Sequence, residues 1–218
     1  MSQKVLVQAV SILELTEKEA EPLWSLLEEE KQKEIRAKKD PKDQLRSLLG
    51  YLLAAMASGS KLPVHFEKGE FGKPFIQGAP CFSISHSGSY VVCAISQQEV
   101  GVDIQRHTEI GYQSIAERFY QKDEIRLIRE SQEPKKLFFD LWAKKESILK
   151  CAGVGLSRDF SKITALNEEV KKGRERYYTT LMPFIDGYSL AVCGKSPCEA
   201  RFVWVGLGAF FELLKQGS

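Results

Sequence analysis

A short β-branched segment carries two oxygen-bearing side chains at alternate positions. Residues 100–105 read Val-Gly-Val-Asp-Ile-Gln, so a strand there would place Asp103 and Gln105 on one face with Cα atoms about 6.6 to 7 Å apart. Carboxylate and amide oxygens, together with water and phosphate oxygens, are the ligands that Mg²⁺ takes in proteins. The pair is a candidate magnesium site. The alternative is a solvated strand face, because exposed carboxylates greatly outnumber metal ligands.

A second group of reactive side chains repeats at helical spacing. Trp142, Glu146 and Lys150 fall at positions i, i+4 and i+8, which form one row along a helix. Placed opposite Asp103, this row would offer a metal ligand and a cation for phosphate. The alternative is a surface ion pair worth about 0.3 to 0.5 kcal/mol.

Other motifs are weaker. Gly153 and Gly155 form a G-x-G that follows a helix rather than a strand, which favours a helix C-cap over a nucleotide loop. Ser85-His86-Ser87 lacks the surroundings of a serine hydrolase, and His86 is open to either a structural role or an anion contact. The basic stretch at residues 31–46 is interspersed with acids, so we expect mostly solvated surface with one or two cations that steer a phosphorylated ligand.

The elements that position these groups follow from hydrophobic periodicity and from Gly and Pro. In the first half we expect a charged helix at residues 17–37, a helix that begins at Asp40-Pro41, and loops with short strands at residues 58–80. The predicted strands are residues 5–12, 82–85, 90–95 and 100–104, the last two joined through residues 97–99 in an antiparallel sheet.

The second half repeats this order. Helices are predicted near residues 114–119, 122–130 and 135–152, and strands near residues 177–181, 188–193 and 202–205. Helices precede strands in each half, and this segregation favours an α+β fold over a doubly wound parallel sheet.

Composition excludes several classes of protein. The chain has 218 residues, of which 43% are hydrophobic and 28% charged, and these values are typical of a globular protein. A formal charge of +2 is too small for a nucleic-acid-coating polycation. No apolar block suits a membrane span or a signal peptide, and the five cysteines include no C-x-x-C pair. We expect a cytoplasmic protein with reduced thiols that binds neither membrane nor nucleic acid.

Taken together and in order, these motifs closely resemble the surfactin-synthetase type of 4'-phosphopantetheinyl transferase. The resemblance runs along most of the chain. It comprises Arg46-Ser47-Leu48-Leu49-Gly50, Gly72-Lys73-Pro74, Phe82-Ser83-Ile84-Ser85-His86-Ser87, Gly101-Val102-Asp103-Ile104, Arg118-Phe119, Trp142-Ala143-Lys144-Lys145-Glu146-Ser147-Ile148-Leu149-Lys150 and Gly153-Val154-Gly155-Leu156.

The resemblance implies an enzyme, a holo-[acyl-carrier-protein] synthase. Such a transferase moves the phosphopantetheine arm of coenzyme A onto a serine of an apo acyl or peptidyl carrier protein and releases adenosine 3',5'-bisphosphate. It also implies a monomeric pseudodimer of two similar α+β halves, residues 1–104 and 105–218, with the active site in the cleft between them. The sequence leaves open whether the acceptor belongs to fatty-acid, polyketide or nonribosomal-peptide synthesis.

Site residues carry over by matching position. Asp103 and Glu146 resemble the Mg²⁺ ligands, Glu146 also resembles the group that takes the serine proton, and Lys150 resembles the contact to the diphosphate. The remaining matches form the coenzyme A site, with Lys73, Pro74, Ser85 and His86 as its cradle and Arg46 and Lys31 at the 3'-phosphate.

One position departs from the pattern of the family. Most relatives have a glutamate where this chain has Gln105. An amide can still offer one oxygen to Mg²⁺ or hold a coordinated water, but the site loses one negative charge, so we expect weaker metal binding. The alternative function is a non-catalytic module that binds coenzyme A or an adenine nucleotide. Exposed cations near the cleft, Arg118 and Lys122, are candidates for docking an acidic carrier.

Overall fold

The computed structural model describes residues 2–154 and 160–216. The strands in these ranges are β1 (Gln3–Ser11), β2 (Glu67–Lys68), β3 (Pro74–Phe75), β4 (Cys81–Ser87), β5 (Tyr90–Ser96), β6 (Val100–Arg106), β7 (Glu169–Lys172), β8 (Glu175–Met182), β9 (Tyr188–Gly194) and β10 (Cys198–Trp204). The α-helices are α1 (Glu17–Ala20), α2 (Glu29–Arg36), α3 (Pro41–Ser58), α4 (Tyr112–Phe119), α5 (Lys122–Glu130), α6 (Pro134–Ala152) and α7 (Gly208–Gln216), with 3₁₀ helices at Glu21–Leu26 and Phe160–Lys162.

Two four-stranded sheets form the centre of the molecule. The first has the order β10-β1-β5-β4, with β10 parallel to β1 and the other pairs antiparallel. The second has the order β6-β9-β8-β7 and is antiparallel throughout. Their inner faces share one apolar core that includes Val7 and Val92 from the first sheet and Val102 and Val192 from the second. The predicted α+β class is confirmed.

One long helix covers the outer face of each sheet. Helix α3 packs its leucines against β4 and β5, and α6 packs on β6, β8 and β9. The N-cap Asp40 accepts a hydrogen bond from the backbone of Lys42, and Gly59 ends α3 in the left-handed conformation, so the predicted helix at Asp40-Pro41 is confirmed. The order of layers is helix, sheet, sheet, helix. The expected halves at residues 1–104 and 105–218 stay a prediction, and β10 lies in the same sheet as β1.

Two expectations about local structure are wrong. The helix expected at residues 17–37 is divided into α1, a 3₁₀ helix and α2, because Pro22 lacks a donor and the backbone at Leu27 is extended, where it bridges to Val64. The strands β5 and β6 are not partners, since β6 pairs with β9. That pairing buries Val102 and Ile104 between the sheets. It also turns Asp103 toward α6.

Candidate active site

The site lies where the edge strand β4 of the first sheet meets the edge strand β6 of the second. No backbone ladder joins these two strands in the described chain. Instead, three serine side chains at alternate positions of β4 connect the two strands; we call Ser83, Ser85 and Ser87 the serine comb. The Oγ atoms of Ser83, Ser85 and Ser87 accept hydrogen bonds from the backbone N–H groups of Val102, Ile104 and Arg106, at 3.1, 3.3 and 2.9 Å.

Asp103 is the centre of the polar contacts at this seam. Asp103 is only 2% exposed, so the alternative of a solvated strand face is wrong. One oxygen, Oδ1, accepts hydrogen bonds from Ser85 Oγ and from Lys150 Nζ, both at 2.7 Å. The other, Oδ2, accepts one from Gln105 Nε2 at 2.8 Å. Strand β6 and helix α6 therefore bring together the two motifs that lie about 45 residues apart in sequence.

Glu146 is the second buried carboxylate of the site. It is 6% exposed and has no hydrogen-bond partner among the described residues. Burial and then the negative charge of Asp103 raise the pKa of Glu146, Lys150 partly opposes them, and the pKa lies at about 7. When both carboxylates are ionised, the single cation Lys150 leaves one negative charge without compensation.

This donor set fits a hard divalent cation. Mg²⁺ is usually held by one or two carboxylates, with water and substrate phosphate completing its coordination. Asp103 and Glu146 supply the carboxylates, and Gln105 supplies an amide whose nitrogen faces Asp103 in this arrangement. Within the ranges that the structure describes, no group of three or more His, Cys, Asp or Glu side chains is arranged to hold a metal. A cation here would depend on substrate oxygens.

A cavity of about 460 Å³ opens at the seam, which is within the usual size range of small-molecule sites. Helices α2, α3 and α6 and strands β4 and β6 all contribute to its wall. The lining residues are Glu34, Ile35, Lys38, Ser47, Tyr51, Pro74, Ile84, Ser85, His86, Asp103, Gln105, Trp142, Glu146 and Lys150.

His86 faces this cavity as a neutral ring. Burial, followed by the nearby cations Arg46, Lys38 and Lys150, lowers the pKa of His86 to about 4, against a small opposing effect of Asp43. A neutral imidazole can donate one hydrogen bond and accept another. At neutral pH, His86 is therefore suited to hydrogen bonding rather than to charge pairing.

Three cations expected at the site line no part of this cavity. Lys73 donates to Glu99 Oε2 at 2.8 Å and to the Val100 carbonyl at 3.0 Å. Lys31 is buried and contacts Glu34 at 2.8 Å and the Tyr51 hydroxyl at 3.4 Å.

Arg46 is the third. Its guanidinium pairs with Asp43 and Asp40 and donates to the Gly88 carbonyl at 2.8 Å. The structure thus brings together Pro74, Ser85, His86, Asp103, Gln105, Glu146 and Lys150, and places Lys31, Arg46 and Lys73 outside the cavity wall.

Sequence reasoning missed part of the cavity wall. Lys38 was one of many basic residues, and Ile84 resembled an ordinary core residue of β4. Ser47 and Tyr51 lie one turn apart on α3, and this i, i+4 spacing after Arg46 was the available signal. Gly153 ends α6 in the left-handed conformation as expected, whereas Gly155 and Leu156 lie outside the described residues.

Two buried carboxylates stand beside a lysine in one cavity, and such an arrangement can bind a phosphorylated substrate together with a cation. Residues 99–193 match the model of the 4'-phosphopantetheinyl transferase superfamily. The chain is similar to the 4'-phosphopantetheinyl transferase Sfp of Bacillus subtilis (strain 168), with 31% identity over 84% of this chain and 88% of that protein. It is also similar to the 4'-phosphopantetheinyl transferase gsp of Aneurinibacillus migulanus, with 39% identity over 62% of this chain and 59% of that protein.

The chain belongs to the 4'-phosphopantetheinyl transferase family and is a transferase of the surfactin-synthetase type. Among solved structures, the holo-[acyl-carrier-protein] synthase of Thermotoga maritima matches with a TM-score of 0.34 at 19% identity and covers 44% of this chain and 61% of that chain. No helix of the described ranges is long and apolar enough to cross a membrane.

Proposed function

We propose that the protein transfers the 4'-phosphopantetheine arm of coenzyme A to a serine of an apo acyl or peptidyl carrier protein in the cavity at the seam between β4 and β6. Family membership supports the reaction. The observation that supports the location is the convergence of Asp103, Glu146 and Lys150, with Lys150 Nζ 2.7 Å from the Asp103 carboxylate. The products are the holo carrier protein and adenosine 3',5'-bisphosphate.

We assign Asp103 and Glu146 as the ligands of Mg²⁺, with Gln105 in contact with the ion directly or through a water. The cation would neutralise the charge that develops on the diphosphate as the phosphorus–oxygen bond to the nucleotide breaks. Lys150 would bind a diphosphate oxygen. Glu146 would take the proton of the carrier serine, directly or through a water.

The nucleotide end of coenzyme A would lie toward α2 and α3. Ser85, His86 and Pro74 line the same cavity, and Lys38 adds a cation to its wall. We assign the 3'-phosphate to Arg46 and Lys31. Their support is proximity, because Arg46 lowers the pKa of His86 and Lys31 contacts the cavity residue Tyr51.

Lys73 belongs to this cradle as well. It would exchange its ion pair with the half-exposed Glu99 for a phosphate oxygen of coenzyme A.

We propose that the carrier docks beside Arg118 on α4 and Lys122 at the start of α5. Both side chains are exposed, and carriers are acidic, so the charges are complementary. Charge reversal at both positions is expected to raise the KM for the carrier and to leave the KM for coenzyme A unchanged. An unchanged carrier KM would remove this surface from consideration. We also propose that the protein acts in the cytoplasm as a monomer of two similar halves, residues 1–104 and 105–218.

The test is incubation with coenzyme A, Mg²⁺ and a panel of apo carriers from fatty-acid, polyketide and nonribosomal-peptide systems, followed by mass measurement of each carrier. A mass gain of one phosphopantetheine group is expected on at least one carrier, and the panel identifies the acceptor class. Glu146→Gln, which keeps the size of the side chain and removes its charge, should abolish the gain. Binding of coenzyme A without modification of any carrier would favour a non-catalytic binding module.

A further inference from the structure

The serine comb provides hydrogen-bond acceptors for the unpaired edge of strand β6. This strand pairs with β9 along one edge only, so the N–H groups on its other edge need acceptors. Strand β4 runs beside that edge but forms no ladder with it. Its serine hydroxyls reach across the gap at alternate positions, and each accepts from one N–H group of β6. The comb is therefore the polar connection that sets β6 against β4 at the seam.

Two of these hydrogen bonds bracket Asp103. Ser83 accepts from the N–H of Val102, one residue before Asp103, and Ser85 accepts from the N–H of Ile104, one residue after it. Ser85 also donates to the Asp103 carboxylate itself. The backbone of Asp103 is thus held on both sides by β4, and the side chain is aimed at Lys150 from that fixed position.

Ser83 is the unexpected member of this group. It does not line the cavity, it is 4% exposed, and its contact with β6 is to a backbone N–H that is itself buried. Water cannot readily replace a hydroxyl acceptor at such a place, so loss of the hydroxyl leaves the Val102 N–H without a partner. Ser87 differs, because it is only partly buried and its partner Arg106 is exposed, so water can substitute for it.

We propose that Ser83 is a positioning residue for the transfer reaction. Its hydroxyl fixes the register of β6 against β4, and through that register it sets where the Asp103 carboxylate lies relative to Glu146 and Lys150. The inference rests on the proposed function for its catalytic consequence. Its structural half, that Ser83 holds the Val102 N–H, stands on the hydrogen bond alone.

The experiment compares Ser83→Ala with Ser83→Thr, which keeps the hydroxyl, and with Ser96→Ala as the matched control. Ser96 is another buried serine, on β5, and its hydroxyl bonds to the Lys4 carbonyl at 2.8 Å and to the Gln3 amide at 3.0 Å, away from the seam. Each variant is measured for kcat, for the KM of the carrier, for the Kd of coenzyme A with Mg²⁺ by calorimetry, and for amide hydrogen exchange by NMR.

We expect Ser83→Ala to lower kcat by about tenfold to a hundredfold, since a misplacement of about 1 Å in a catalytic group can cost about a hundredfold. The Kd of coenzyme A with Mg²⁺ should rise, the carrier KM should not change, and the Val102 amide should exchange faster. Ser83→Thr should restore most of kcat. Ser87→Ala should have a smaller effect, and Ser96→Ala should lose stability without losing kcat.

Equal kcat and equal Val102 exchange in the wild type and Ser83→Ala would overturn the proposal, as would a loss of kcat in Ser96→Ala as large as that in Ser83→Ala. If Ser83→Ala does not fold, Ser83→Cys replaces it, because its sulfur fills similar space and accepts hydrogen bonds weakly. A wild-type protein that modifies no carrier would contradict the proposed function instead. The exchange rate of the Val102 amide would then still decide whether Ser83 holds β6.

Discussion

Gly101→Ala is expected to separate the strand that carries Asp103 from the helix that carries Lys150. Gly101 lies on β6 where α6 crosses it, and a Cβ atom there would be 1.9 Å from the Ser147 carbonyl oxygen and 2.5 Å from the Cys151 nitrogen. Real Cβ atoms essentially never approach other heavy atoms closer than 3.0 Å. Both contacts are backbone atoms of a helix that cannot rotate away, so α6 and β6 must move apart by about 1 Å.

This displacement has two measurable consequences. Overpacking costs about 1 to 3 kcal/mol of unfolding free energy, and contact with helix backbone places this variant at the upper end or above. The 2.7 Å contact between Lys150 and Asp103 opens at the same time, so kcat/KM for the carrier should fall by about a hundredfold. Urea denaturation and the mass assay of the carrier measure the two effects.

The control is Gly206→Ala, since a Cβ atom at Gly206 meets no heavy atom within 4 Å. It should leave both stability and transfer close to those of the wild type. Wild-type kcat/KM in Gly101→Ala would refute the reasoning, because it would show that the close approach of α6 to β6 does not set the geometry of the site.

Three further predictions concern a buried ion pair, a buried histidine and residue 105. Lys145 and Glu124 form a fully buried ion pair at 2.7 Å, so Lys145→Met should lower the unfolding free energy by about 3 to 5 kcal/mol in urea denaturation. The double variant with Glu124→Gln should recover part of this loss, because it no longer leaves a buried charge without a partner. No recovery would argue against the ion pair. The pKa of His86 is lowered from 6.5 to about 4, so between these pH values the unfolded chain binds a proton at His86 and the folded chain does not. The unfolding free energy should therefore fall by up to about 3 kcal/mol as the pH drops from 6.5 to 4. The difference in unfolding free energy between the wild type and His86→Asn should change over this interval, and a constant difference would contradict the lowered pKa. Gln105→Glu adds a carboxylate beside Asp103 and should lower the Mg²⁺ concentration for half-maximal activity by about tenfold. The thermal stabilisation of the protein by Mg²⁺ should increase to match. The same half-saturating Mg²⁺ concentration in the wild type and the variant would count against contact of residue 105 with the ion.

The charged side chains that meet at the seam were easier to predict than the rest of the cavity wall. Asp103, Glu146 and Lys150 were found because strand alternation and helical spacing both place reactive groups on one face. Family resemblance then brought the two segments together, which periodicity alone cannot do. Tyr51 and Ile84 were missed because an apolar or aromatic residue at core spacing has the same pattern whether it faces a core or a cavity.

Tertiary contacts also explain why two expectations about local structure were wrong. A short link at residues 97–99 predicts a hairpin, yet Gln3 bonds to the carbonyls of Gln98 and Glu99 and the chain crosses there to the second sheet. The charged segment at residues 17–37 has good helical composition, but Pro22 and the extended Leu27 interrupt it. In both places a few contacts outweighed a local preference that the sequence displays over many residues.

The parallel pairing of β1 with β10 constrains how this protein is made. During synthesis on the ribosome, β1 emerges early, but its neighbour on one side emerges only after the whole second sheet has been translated. Until then, β1 offers an unsatisfied edge to other nascent chains. Two fragments that are expressed separately and divided between β5 and β6 would therefore assemble only if β10 of the second fragment joined β1 of the first.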